Sequence, residues 1–399
     1  MTRVRDAIVI GGGIAGPATA MALQKAGIEA VVYEAHATAA DGIGAFLTVA
    51  SNGIDALRVL GADRPALAAG FPTPMITLRS HTGKRLGATR TGRAGDDAAV
   101  SHTMRRADLY RVLHEEAAAR GIPIRHGKRL VDTVETGDGV RALFADGSEA
   151  QADVLVGADG VHSTVRGIID PTAPSPRYVG LLNAGGYATG VDVQAEPGAY
   201  EMIFGRRAFF GYVAAPGGEV WWFANVPRGA EPTRAELASE TRPDRLLDLF
   251  AGDAGPATEL IAATPVVLAV GATHSIPHLP SWRRGPMVVV GDAAHAPSPS
   301  SGQGASLSIE DALVLARCLR DAPDARAALA AFQAARRRRV ERIIRRAARI
   351  NNGKAAGPVG RVLRDAMMPA VLRLTADTRS LRETFDYHVD WDAPAPVAA

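Results

Sequence analysis

Cysteine is nearly missing from this chain of 399 residues, which holds one, Cys318. A single thiol closes no internal disulfide, so a disulfide-stapled secreted scaffold is excluded and a cytoplasmic, reducing setting is expected. Cys318 falls in an apolar helical pattern and reads as a small buried hydrophobe, not a nucleophile. Aromatic residues make up only 5% of the chain, and no charged pair in the stretch read below as a middle sheet marks a carboxylate-binding pocket. No apolar run reaches the length of about 18 residues that a membrane-spanning helix needs. No spacing of His, Cys, Asp and Glu fits a metal site, and no Ser/His/Asp or Cys/His arrangement points to a protein nucleophile. The net charge of +3 is too small to argue for nucleic acid. Arg3 and Arg5 precede an apolar stretch, but Asp6 and the glycines at 11–13 interrupt it, so a strand and a turn are expected instead of a secretory leader.

Glycine is abundant, with 42 residues, and its placement carries information. Ala7 to Ile10 reads as a short buried strand, Ile14 to Ala26 as an amphipathic helix closed by Gly27, and Ala30 to Tyr33 as a second strand. Between strand and helix stands Gly11-Gly12-Gly13-Ile14-Ala15-Gly16. Gly11 permits the tight turn, Gly13 lets a pyrophosphate approach the backbone, and Gly16 lets helix and strand pack closely. The helix start at Ile14 and Ala15 offers free N–H groups to phosphate oxygens. Glu34, 18 positions after Gly16 and followed by Ala35, can accept from ribose hydroxyls and would repel a 2′-phosphate.

Two further segments repeat the plan of a strand that delivers an acid. Asp153 to Arg166 reads DVLVGADGVHSTVR, with the turn Asp159-Gly160 before a helix; Asp159 is assigned to the cofactor groove and to ordering that turn. Met287 to Ala312 reads MVVVGDAAHAPSPSSGQGASLSIEDA. Asp292 ends its strand, Pro299 lies in a Pro-rich loop, and Gly302-Gln303-Gly304 opens a helix at Ala305. This order suits a flavin. Asp292 can accept from a ribityl hydroxyl. The N–H groups from Gly302 to Ala305 can face the N1–C2=O edge, where a helix start stabilises the charge of the reduced ring.

Together the three motifs resemble the single-component FAD-dependent aromatic hydroxylases, the para-hydroxybenzoate hydroxylase superfamily, over about residues 1–345. The resemblance implies an FAD monooxygenase. NADH or NADPH would reduce the flavin, O2 would form a C4a-hydroperoxide, and an aromatic or polycyclic small molecule would be hydroxylated. It carries Arg106, before a helix, over to cofactor contact, and Leu130 to main-chain contact with the adenosine. Residues 35–45 lack the Arg that many members carry after the ribose acid. Baeyer–Villiger oxidation or epoxidation on the same scaffold, and a non-redox FAD-binding role, stay open as alternatives. A monomer or homodimer is expected.

The fold expected is α/β: a discontinuous Rossmann-like FAD-binding domain (1–72, 101–172 and 271–345), a substrate domain with an antiparallel sheet (73–100 and 173–270), and a C-terminal helical segment (346–399). In the middle sheet, alternation puts Phe204, Phe210, Tyr212 and Trp222 on one face, assigned to substrate, while the other face packs on a helix over Arg234 to Ala251. His295 is expected to be structural. The arginines at 336–339, with Arg342, Arg345, Arg346 and Arg349, read as a solvated basic helix face behind an apolar stripe of Phe332, Val340, Ile343, Ile344 and Ala347.

Overall fold

The computed structural model describes residues 3–38, 45–92, 100–196, 198–233, 235–237, 242–354, 357–375 and 379–395. Its first sheet has six strands, in the order Arg283–Arg284, Met287–Val289, Val154–Gly157, Asp6–Ile10, Glu29–Tyr33 and Ile124–Arg125. All neighbours are parallel except the edge strand Arg283–Arg284. Ile8, Val9, Val32, Val154 to Val156 and Met287 to Val289 are buried, as continuous apolar runs in a sheet covered on both faces must be.

The chain leaves strand Asp6–Ile10 towards one side and later returns on the other. Its carboxyl end is therefore a topological switch point, where open α/β sheets form a crevice. The helix Ala15–Lys25 packs over this strand and against the helix Gly304–Asp321.

The second sheet has seven strands, in the order Leu268–Ser275, Arg177–Ala188, Val220–Pro227, Phe209–Ala214, Ala199–Phe204, Met75–Ser80 and Arg85–Arg90. Six strands come from the two segments read as substrate-binding, and Leu268–Ser275 straddles the expected limit at 270. A three-stranded sheet, Phe46–Val49, His102–Arg105 and Gly70–Pro72, lies between. Another, Leu130–Glu135, Val140–Phe144 and Glu149–Ala152, flanks the nucleotide side.

The helix Ser51–Leu60 is ended by Gly61 in the left-handed conformation. The helix read over 234–251 is shorter, Pro243–Phe250; residues 234 and 238–241 lie outside the described set. After the long helix Ala325–Lys354 come Pro358–Thr375 and Arg379–Phe385. Among the described residues, no helix is long and apolar enough to cross a membrane.

The basic helix departs from expectation. The apolar stripe is buried, but Arg336 is buried with it and pairs with Glu310 and Asp311 at 2.7 and 2.6 Å. Arg339 pairs with Glu310, stacks on Tyr387 and donates to the carbonyls of Glu383 and Thr384. Arg337 donates to the carbonyls of Leu279 and Pro280. Only part of the run is a solvated face, Arg338 and Arg345 among it. The reason is local: Glu310 and Asp311 lie on the neighbouring helix and need cations, which the sequence pattern of one helix does not reveal.

Candidate active site

A groove of about 430 Å³ lies at the carboxyl end of the strand Asp6–Ile10. Gly11, Gly13, Ile14, Glu34, Ala35, Arg106, Leu130 and Asp159 line it. Gly11 sits at φ +106°, and a Cβ there would strike the main chain at Ala158; only glycine suits the turn. A Cβ on Gly16 would overlap the Gly11 carbonyl, so helix and strand touch there. A Cβ on Gly13 would meet nothing within 4 Å, because it would point into the open groove. Ala15 and Gly16 are buried behind the loop and act through packing and the helix start.

Glu34 Oε2 accepts from the Gly12 N–H at 2.6 Å and Oε1 from the His36 N–H at 2.8 Å, which fixes the carboxylate at the groove edge. Asp159 lines the groove, but its oxygens are committed to the turn. They accept from Ser163 Oγ at 2.5 Å, from the Thr164 N–H at 2.7 Å and from the Val165 N–H at 3.1 Å. Burial raises its pKa against the pull of those bonds. Arg166, also buried, donates to the carbonyls of Ala293 and Val161 and so ties the second motif to the third.

The third motif is anchored from beneath. The Gly291 N–H and His295 Nε2 both donate to Asp311 Oδ2, at 2.9 and 2.6 Å, while Arg336 Nε donates to Asp311 Oδ1 at 2.6 Å. Burial pushes the Asp311 carboxyl up, but His295, Arg336 and these bonds outweigh it and hold it at about 2. His295 is therefore a buried strut. Between Gly291 and His295, Asp292 makes no hydrogen bond among the described residues, and its carboxylate opens away from the interior. Desolvation by the protein atoms around it raises its pKa, opposed by the charges of His295 and Arg106. Arg106 thus lies in the groove and reaches Asp292 electrostatically, linking the two halves of the site.

The helix start after Pro299 refines the expectation for residues 302–305. The Gly302 N–H donates to the Pro299 carbonyl and the Gln303 N–H to Ser301 Oγ. Gln303 Oε1 accepts from Asn52, and its side chain is buried. Among the described residues, the N–H groups of Gly304 and Ala305 are without an acceptor, and Asp292 Oδ1 lies 3.9 Å from where a Gly304 Cβ would stand. The acid and the open amides therefore converge although a loop separates them in sequence.

The sequence reading missed several groove residues. Tyr33, Tyr110, Lys128, Arg129, His162 and Thr164 also line it. Lys128 and Arg129 supply cations that 35–45 lacks by sequence; residues 39–44 lie outside the described set. His114 was missed as well: its Nε2 donates to the Gly12 carbonyl at 2.6 Å, and its ring stacks on Tyr110 at 3.9 Å.

The substrate-side assignment needs correction. Phe204 pairs with Phe209, and Ile203 with Phe210, across the first hairpin; Tyr212 pairs with Trp222 across the next. Paired residues face the same side. Phe210, Tyr212 and Trp222 therefore share a face without Phe204, and that face is closed by Leu246, Phe250, Leu260 and Ile261 of the helices Pro243–Phe250 and Ala257–Ala262. Trp222 Nε1 donates to Thr264 Oγ1 there at 2.7 Å. Phe204 lies on the opposite face, beside Phe209 and Phe223. Trp221 also belongs to that face, against Phe46 and Phe71. Alternation within a strand cannot show this, because the hairpin register decides which side of one strand matches which side of the next.

A sheet with its switch-point groove, a glycine-lined turn, and an unpaired acid beside open helix-start amides define an FAD-binding flavoprotein. The model of the FAD binding domain family matches residues 5–347. The aurachin C monooxygenase/isomerase of Stigmatella aurantiaca is 32% identical over 335 residues, covering 82% of this chain and 84% of that protein. The FAD-dependent urate hydroxylase of Klebsiella pneumoniae is 33% identical over 360 residues, covering 87% of this chain and 91% of that protein. The crystal structure of Klebsiella pneumoniae HpxO complexed with FAD and uric acid superposes with a TM-score of 0.83 at 26% identity, over 95% of this chain and 97% of that one. The chain belongs to this family of FAD-dependent monooxygenases and hydroxylases; it is an oxidoreductase, and its cofactor is FAD.

Proposed function

We propose that this chain uses NADH or NADPH and O2 to insert one oxygen atom into an aromatic or polycyclic small molecule. The observation that carries the reading is Asp292, an exposed carboxylate with no hydrogen bond among the described residues, beside the open N–H groups of Gly304 and Ala305. That pair suits a ribityl hydroxyl and the electron-rich edge of a flavin ring. The urate hydroxylase and aurachin relatives support a cyclic, electron-rich substrate.

Each part of the chain has a task in this reading. The loop Gly11 to Gly16 holds the pyrophosphate, with Arg106 balancing its charge. Glu34 accepts from the adenosine ribose. Leu130 meets the adenosine with main-chain atoms. Pro299 and Gly302 shape the turn that brings Gly304 and Ala305 up to the ring. The division into a discontinuous FAD domain (1–72, 101–172, 271–345), a substrate domain (73–100, 173–270) and a C-terminal segment (346–399) follows from these tasks. FAD, when bound, supplies hydride acceptance and O2 activation. The face of the second sheet that bears Phe209, Trp221 and Phe223 covers the substrate and excludes water.

The test is a screen of hydroxylated aromatic compounds for stimulated NAD(P)H oxidation, with product mass read under isotopically labelled O2. One labelled oxygen atom in the product is expected, and its position separates hydroxylation from epoxidation or ring-ester formation. Yellow protein that oxidises no NAD(P)H with any acceptor would overturn the reading in favour of a non-redox role.

A further inference from the structure

Lys354 is the last residue of the helix Ala325–Lys354 and is buried, with 9% of its surface exposed. Its Nζ lies 2.6 Å from Asn225 Oδ1, on the strand Val220–Pro227, and 2.8 Å from Ser300 Oγ. Ser300 stands two residues before Gly302-Gln303-Gly304. One turn back on the same helix, Asn351 donates to Ser298 Oγ at 2.9 Å. A single side chain thus spans the substrate sheet and the loop that presents the flavin-facing amides. Its position is held on each side. Asn225 Nδ2 donates to Asn183 Oδ1 at 2.5 Å, which turns the Asn225 carbonyl oxygen towards the lysine. The amine also lies over the ring of Phe209, 4.1 Å from its centroid, and 5.9 Å from that of Phe223.

Asn183, Asn225, Phe209 and Phe223 are all on the sheet face opposite the helices Pro243–Phe250 and Ala257–Ala262. Among the described residues no carboxylate pairs with Lys354. The other charged groups on this side are engaged elsewhere. Arg105 pairs with Glu219 and stacks on Tyr187, and Arg364 lies over Phe204 beside Asp365. Arg346, two turns back on the same helix, is half-buried. None of them contributes to the titration of Lys354, which burial alone lowers to about 7. A tie between helix and sheet needs no ionisable group, and burying an amine beside neutral partners is costly unless an anion comes to it.

We propose that Lys354 contacts the substrate and binds the ionised oxygen of a hydroxylated aromatic ring, whose proton it accepts. This rests on the monooxygenase reading and names the substrate class for it. The step balances. The neutral amine takes the proton of the ring hydroxyl, an O–H bond breaks, an N–H bond forms, and an ammonium–phenolate pair results with no change of oxidation state. The phenolate is the more electron-rich ring and so the better acceptor of an electrophilic oxygen atom. Asn225 and Ser300 hold two positions around the nitrogen, and the substrate oxygen would take the third in place of the contact with the Phe209 ring.

The test uses full-length protein with FAD bound and 4-nitrophenol as the probe, because its absorbance reports its ionisation directly. 4-Nitroanisole, which cannot ionise, is the control. Wild-type protein is expected to favour the bound anion over the neutral phenol by roughly tenfold or more relative to water, a shift of about one pH unit. Lys354→Met should remove that preference with FAD content unchanged. Lys354→Arg should keep anion binding and lose the pH dependence near neutrality, because a guanidinium does not give up its proton. Nitrophenol that stays protonated when bound, binds no better than nitroanisole, or shifts equally in Lys354→Met overturns the proposal. The wild-type measurement stands even if a variant fails to fold. It needs no turnover, so its outcome is separable from that of the oxygenase screen.

Discussion

His114 Nε2 donates to the Gly12 carbonyl at 2.6 Å, although 102 positions separate the two residues. With Glu34 accepting from the Gly12 N–H, the two peptide groups that flank Gly12 in the phosphate loop are both held. Preorganisation of that loop therefore depends on a helix formed much later in the chain.

Burial lowers the His114 pKa, partly offset by the Gly12 carbonyl, which favours the proton. The unfolded chain thus binds a proton more readily than the folded one. The stability that this group contributes is present above the ordinary imidazole pKa of about 6.5 and is lost as pH falls through the folded value. Thermal midpoints should fall as the solution is acidified below neutrality. His114→Gln should flatten part of that slope; the rest belongs in part to His102, which burial also lowers. His114→Phe leaves a half-buried carbonyl without its donor and should cost about 1–3 kcal/mol in denaturant unfolding. An unchanged pH slope in His114→Gln would show that the histidine does not titrate with folding.

Gly13→Asp should fold and lose FAD. The backbone there demands no left-handed conformation, and the new side chain would enter open space. A carboxylate in the pyrophosphate position repels it at close range. Circular dichroism should match wild type while the purified protein is colourless. Retention of the yellow colour would move the pyrophosphate elsewhere.

Arg336→Met should lower unfolding free energy by about 3–5 kcal/mol, because it leaves Glu310 and Asp311 buried with less compensation. Asp311 also anchors Gly291 and His295, so FAD affinity should fall in the same variant. Denaturant titration and flavin release together check this. A stability loss with wild-type FAD affinity would uncouple the strut from Asp292.

Trp222 and Phe223 are adjacent in sequence and face opposite sides of the sheet. Trp222→Ala should cost about 3–5 kcal/mol by opening a cavity against the helices at 243–250 and 257–262. The yield of hydroxylated product per NAD(P)H consumed should stay near wild type in the molecules that fold. Phe223→Ala should lower that yield with little loss of FAD. The reverse pattern would return the substrate to the Trp222 face.

The residues at the groove show what a linear reading captures. A strand, a glycine turn and an acid at fixed spacing are local features, and Gly11, Gly13, Ile14, Glu34 and Ala35 meet at the groove as their order implies. Asp292 and the GQG turn were also legible, because strand ends and helix starts have short-range signals. Where distant segments meet was not. Lys128, Arg129 and His114 carry no motif, and nothing local directs the first two to the groove or the histidine to the Gly12 carbonyl.

The amino-acid order by itself determined that an FAD fold would form, because buried strand runs and glycine turns dictate a parallel sheet and its phosphate loop. Tertiary structure alone decided which sheet face is closed by helices, which arginines leave solvent for buried carboxylates, and that a lysine at the end of the helix Ala325–Lys354 reaches Asn225 and Ser300. The physical reason is that register, burial and charge pairing are properties of segments brought together by folding. The period of one strand or one helix contains no record of its partner.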